Sequence, residues 1–189
     1  MNGLKIGFAL CGSFCTISRA VEQMKVITET GAQIIPIVSE IVSVTDTRFG
    51  TAQALKKSIY EITGKPVIDS IKEAEPIGPK NLLDALIIAP ATGNTISKIA
   101  CAITDTCVTM AAKATLRNRK PVIVCTATND GLGACAQNIG RLMSMKGIYL
   151  VPLQQDDPIQ KQTSLIADFT MILPTLQYAL RGEQIQPVI

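Results

Sequence analysis

Five short apolar runs, each of strand length and nearly free of polar residues, constrain this chain more than any other feature. They are Leu4–Leu10, Gln33–Val38, Ala85–Ala89, Pro121–Thr126 and Ile148–Pro152. A strand with one face in water alternates apolar and polar residues, whereas a parallel strand covered on both faces reads as a continuous run. Amphipathic stretches separate the runs: 15–30, 51–63, 95–102, 108–118, 133–146 and 165–181. In the first of these, Ile17, Val21, Met24, Ile27 and Thr28 share one helical face, and Gly31 supplies the stop. Pro174 is expected to kink or split the last. Alternating strands and helices with short loops imply a doubly wound open parallel sheet with right-handed crossovers, a three-layer α/β/α arrangement.

The chain length of 189 residues suits one sizeable core, and the whole of 1–189 is expected to form a single domain. With 4% aromatic residues and no Trp, that core must be aliphatic. The proline- and charge-bearing stretch 65–80 reads as an exposed excursion, and 182–189 as a frayed or docking tail. A net charge of +3 with scattered Lys and Arg offers no footprint for nucleic acid. No apolar run approaches the ~18 residues of a membrane span, and the short N-terminal run reads as a strand, so a cytoplasmic protein is expected. The six cysteines form no CxxC pair and the chain has no His, so no metal site is expected; the thiols read as small buried hydrophobes.

In open α/β sheets ligands bind outside the carboxyl ends of the strands. The first such end reads Cys11-Gly12-Ser13, where Gly12 permits a tight turn and Ser13 can cap a helix or meet a phosphate at its N-terminus. It is not a GxGxxG dinucleotide fingerprint. Ser39 follows the second strand and can share the same phosphate. The third end, Ala91-Thr92-Gly93-Asn94-Thr95, combines small residues with donors and acceptors for a heteroaromatic edge, and Asn94 or Thr95 can cap the next helix. The fourth, Thr128-Asn129-Asp130-Gly131, is also an ordinary turn signal.

The segment APATGNTISKIACAITDTCVTMAAKA, beginning at Ala89, resembles the PASANT segment and following helix pair of the flavin-dependent cysteine decarboxylase superfamily. Cys11-Gly12-Ser13 matches that family's first flavin loop, Ser39 its second-strand hydroxyl, and the likeness extends over about residues 4–155. The resemblance implies a Rossmann-like or flavodoxin-like flavoprotein fold and FMN as cofactor. It places Gly12, Ser13 and Ser39 at the phosphate or ribityl chain, and Ala91, Thr92 and Asn94 at the isoalloxazine. The family's active-site His is missing, and of its PxMN segment only Asn129 is kept, which makes Asn129 the candidate catalytic residue.

Within the superfamily, IGFALCGSFCT, RFGTAQ, IIAPATGNTISKIA and CTATNDGLG are most similar to the B-subunit family of dipicolinate synthases. That resemblance implies oxidation of a dihydropyridine dicarboxylate during sporulation, alongside an A subunit that binds NADP. It also implies homo-oligomers, trimers or dodecamers. Lys98, Lys113, Arg117 and Arg141 are candidate cations for a dicarboxylate, though each reads first as a solvated helix residue and none is assigned to catalysis. Two other readings stay open: decarboxylation or flavin prenylation on the same fold, and a non-catalytic stabilising protein with a vestigial flavin pocket.

Overall fold

The computed structural model describes all residues, 1–189. The chain runs β1 (Lys5–Leu10), α1 (Ile17–Glu29), β2 (Gln33–Val38), α2 (Glu40–Val44), α3 (Ala52–Thr63), α4 (Ile71–Ala74), β3 (Ala85–Ala91), α5 (Gly93–Ala100), α6 (Cys107–Arg117) and β4 (Val122–Thr128). It continues through α7 (Ala136–Ser144), β5 (Ile148–Leu150), β6 (Leu153–Asp157), β7 (Lys161–Ala167) and α8 (Ile172–Ala179). Strands β2, β1, β3, β4 and β5 lie side by side in that order, all parallel. This is the flavodoxin-like strand order, with the switch point between β1 and β3. All seven residues of β3 and the first six of β4 are buried, which is why these strands read as unbroken apolar runs. Helices α1 and α8 pack on one face; α5, α6 and α7 cover the other. A contiguous cluster of 49 buried residues unites both faces into one core. No helix is long and apolar enough to cross a membrane.

Three expectations change. The stretch 65–80 is not simply an exposed excursion. Ile68 bridges Ile37 in parallel, extending the sheet by one residue beyond β2. Ala74 and Ile77 are wholly buried, because α4 and the turn after it pack on α6. Its prolines and charges lie on the outer side of this packed corner.

The expected helix over 165–181 begins instead as a strand. Residues Leu153–Asp157 and Lys161–Ala167 form an antiparallel hairpin, and β7 pairs Ile166 with Ala127 and Leu165 with Thr128. Helix α8 starts at Ile172, so Pro174 lies in its first turn, where its missing N–H and fixed φ are tolerated. The hairpin eluded the period because its outer half is polar on both faces: Gln154, Gln155, Asp156, Lys161, Gln162 and Thr163 are all exposed.

The hairpin is held at the end of β4 by backbone and side chain together. The Thr163 hydroxyl donates to the Asn129 carbonyl at 2.7 Å, and the Leu132 amide donates to the Thr163 carbonyl at 2.9 Å. Gly131 leaves no room for a side chain: a Cβ there would stand 2.6 Å from Leu165 Cβ. Gly131→Ala is therefore expected to destabilise the fold by about 1–3 kcal/mol through overpacking. The urea midpoint reads the loss, and amide exchange at residues 161–166 should accelerate before that of β3.

Candidate functional site

A cleft of about 820 Å³ opens at the carboxyl ends of β1, β3 and β4. Its size falls within the roughly 300–1,000 Å³ of small-molecule and cofactor sites. Five of the residues singled out in the sequence lie on its wall: Gly12, Ser13, Thr92, Asn94 and Asn129. The sheet brings them together because the three strand ends are neighbours.

The first loop turns sharply after β1, with the Ser13 amide donating to the Cys11 carbonyl at 2.8 Å. A 3₁₀ turn, Phe14–Thr16, leads into α1. Ser13 does not cap it through its side chain; its hydroxyl accepts from Thr16 Oγ1 at 3.1 Å. The first amides of a helical turn have no partner within it, and such free donors can meet an anion.

At the third loop the cap is Thr92 rather than Asn94 or Thr95. Its Oγ1 accepts the Thr95 amide at 3.4 Å, and α5 begins at Gly93. Thr95 lies one turn inside the helix, where its hydroxyl donates to Cys11 Sγ at 3.3 Å and ties the third loop to the first. Asn94 is left exposed on the cleft wall with no side-chain hydrogen bond.

Ala91 and Ser39 are not on the wall. Ala91 is fully buried, paired with Thr126 in the sheet. Ser39 is nine-tenths buried beside the first loop, its amide donating to the Leu10 carbonyl at 2.9 Å. Its Oγ has no hydrogen-bond partner, and Thr126 Oγ1 is the only other buried side-chain oxygen so left. Each of these orphaned hydroxyls carries the desolvation cost of an unmade bond, about 1–3 kcal/mol.

The cations of the cleft differ from those read off the sequence. Lys98, Lys113, Arg117 and Arg141 all lie off its wall. Lys98 pairs with Asp105 at 2.9 Å, and Arg141 donates to the Ala100 carbonyl at 3.3 Å. Arg48 and Lys161 line the cleft instead. Arg48 makes no ion pair and stands 4.9 Å over the Phe49 ring, while Lys161 pairs with Asp156 at 2.6 Å within the hairpin. Arg48 belongs to the RFGTAQ segment, a visible signal; Lys161 comes in only with the hairpin.

On the fourth loop Asn129 is exposed, its side chain unbonded. Its neighbour Asp130 is half-buried and accepts the Thr128 hydroxyl at 2.5 Å. Gly93 lets this pair approach α5, since a Cβ there would meet Thr128 Oγ1 at 2.8 Å and Asp130 Oδ1 at 3.0 Å. No group of three or more Cys, Asp or Glu stands close enough to hold a metal ion.

Of the six thiols, Cys11, Cys107, Cys125 and Cys135 are buried, as expected of small hydrophobes, whereas Cys15 and Cys101 are exposed. Cys15 stands on the cleft wall. Burial pushes the Cys11 thiol up from 9.0 to about 11, partly offset by the Thr95 hydroxyl. Burial, and then the charge of Glu40, push Cys107 up further. A thiol with a raised folded-state pKa stays neutral while its unfolded counterpart ionises. Its stabilising share is thus complete below about pH 9 and drains away as pH climbs through 11. Chemical denaturation across pH 8 to 11, a range set by these thiols, should show that decline. Cys11→Ala should make the decline shallower by on the order of 2 kcal/mol.

Known proteins share this arrangement. The flavoprotein family profile matches residues 1–175. The dipicolinate synthase B subunit of Bacillus subtilis (strain 168) is 45% identical over 189 residues, covering all of this chain and 94% of the relative. The crystal structure of the dipicolinate synthase B subunit from Bacillus halodurans superposes with a TM-score of 0.91 at 48% identity, covering 100% of this chain and 97% of the other. An FMN-dependent cysteine decarboxylase, SpaF, shares the fold at a TM-score of 0.68 and 20% identity, over 94% and 97% of the two chains. The strand order, the ligand-sized cleft at the switch point and the full-length likeness agree: this chain belongs to the flavoprotein family, together with the B subunits of dipicolinate synthase.

Proposed function

We propose that this chain is the flavin-binding B subunit of a dipicolinate synthase, oxidising a dihydropyridine-2,6-dicarboxylate to the aromatic pyridine with an NADP-binding A subunit. The observation that carries the flavin is the cleft of about 820 Å³ at the carboxyl ends of β1, β3 and β4, with the unpartnered Ser39 hydroxyl buried behind its first loop. Ser39 and the first amides of the following turn would hold the phosphate of FMN. Thr92 and Asn94 would edge the isoalloxazine, with small Gly93 admitting a flat ring. Bound there, FMN supplies a hydride acceptor or relay. The chain's own residues bind and orient. Arg48, with no carboxylate to neutralise it, offers a charge to a dianionic substrate. The hairpin carrying Lys161 and Leu165 forms one wall of the cleft. The likeness in name and sequence to dipicolinate synthase B subunits supports the reaction and the need for a second, different chain. Assembly into trimers or dodecamers belongs to the same reading. The chain contains no His, so it has no counterpart to the residue used by decarboxylases.

Addition of FMN to the purified chain should produce a bound, yellow flavin. It should also slow the reaction of Cys15 with Ellman's reagent about tenfold or more while leaving Cys101 unchanged, since only Cys15 lines the cleft. Ser39→Ala should weaken FMN by about 1–3 kcal/mol, or 5- to 150-fold. A chain that never takes up FMN, yet supports dipicolinate formation by its partner, would favour the non-catalytic reading.

A further inference from the structure

Aromatising a dihydropyridine removes two hydrogens. One leaves with the electron pair of its C–H bond to a hydride acceptor of the flavin or nicotinamide class. The other leaves as a proton, and the electrons of its bond complete the aromatic ring. The oxidation proposed above, on which this inference rests, therefore needs a base as well as an acceptor. The cleft wall holds few groups able to serve. There is no His, and Asp156 is neutralised by Lys161 at 2.6 Å. Asp130 is the one cleft carboxylate with no cation against it.

We infer that Asp130 is the proton acceptor of this site. Its Oδ1 is fixed by the Thr128 hydroxyl at 2.5 Å, while no hydrogen bond reaches Oδ2. That leaves one oxygen to anchor the carboxylate and one to take a proton, the arrangement a positioned base requires. Gly93 keeps the approach to the pair clear of a side chain, which would otherwise stand 3.0 Å from Oδ1. Asp130 and Arg48 line the same cleft. A dianion drawn to Arg48 stands in the cleft that Asp130 also lines, and the proton is taken there. The resulting carboxylic acid discharges to water through the open cleft. In the sequence Asp130 lay inside Asn-Asp-Gly, a turn signal that hid it.

The test uses this chain in complex with its NADP-binding partner, and compares Asp130→Asn, which can still accept the Thr128 hydroxyl, with wild type. The kcat for dihydropyridine-2,6-dicarboxylate oxidation should fall about 100-fold or more, with KM little changed, and imidazole should restore part of it. Asp130→Glu should retain more activity than Asp130→Asn. Calorimetry should show that wild type and Asp130→Asn both bind pyridine-2,6-dicarboxylate, so that the fall is in the chemical step. Thr128→Val, which keeps the carboxylate but loses its anchor, should show an intermediate fall in kcat. A retained rate in Asp130→Asn, or a lost rate that imidazole does not restore, overturns the inference while leaving the proposed oxidation standing. A wild-type pair that neither oxidises the dihydropyridine nor binds the product overturns both.

Discussion

Everything about the cleft depends on how β4 shares its outer edge. Its first half, Val122–Val124, pairs in parallel with β5; its end, Ala127–Thr128, pairs antiparallel with β7. One strand thus anchors the close of the doubly wound sheet and the start of a separate hairpin. If the parallel pairing ran the full length of β4, the hairpin would have no edge to join and Lys161, Ser164 and Leu165 would leave the site. The short length of β5, three residues, is what frees the upper edge.

The parallel sheet was legible because burial on both faces removes polar residues from its strands, as in β3, ALIIAPA. All five runs became strands. The hairpin was not legible because nothing covers its tip, so its strands carry no periodic apolar signal beyond Leu165 and Ile166. Loop chemistry was partly legible. Gly12, Ser13, Thr92, Asn94 and Asn129 could be placed on the cleft from strand-end position alone. Which hydroxyl caps α5, and whether Ser39 faces a partner or an empty contact, depend on distances of a few tenths of an ångström that a sequence does not carry. The cleft's own charges were not legible for a related reason. Lys98 and Arg141 sit on helices next to the right loops, yet their side chains reach Asp105 and the Ala100 carbonyl.

Beneath the wall, the loops are bound to one another. The Thr92 and Thr95 hydroxyls lie 3.2 Å apart, and Thr95 reaches Cys11. The Cys107 amide at the start of α6 donates to Glu40 at 2.8 Å, and the Cys107 thiol donates to the Val38 carbonyl at 3.0 Å. Three strand ends are therefore stitched together by short polar contacts in a region otherwise aliphatic. Such fully satisfied contacts in a low-dielectric setting are stiff. They hold the Gly12-Ser13 turn and the Thr92 cap in fixed relation, which any ligand spanning both requires.

The hairpin stands apart from this stitching. Its base pairs with β4 through two residues of β7 and bonds the loop after β4 through Thr163, whereas its tip, with Ile159 almost fully exposed, projects from the sheet. The core beneath does not depend on what the hairpin's outer residues are. Evolution can rewrite Asp156, Lys161 or the turn between them, exchanging one wall of the site for another, at little cost to folding. The exposed outer hairpin is thus the part of the cleft wall that the core constrains least.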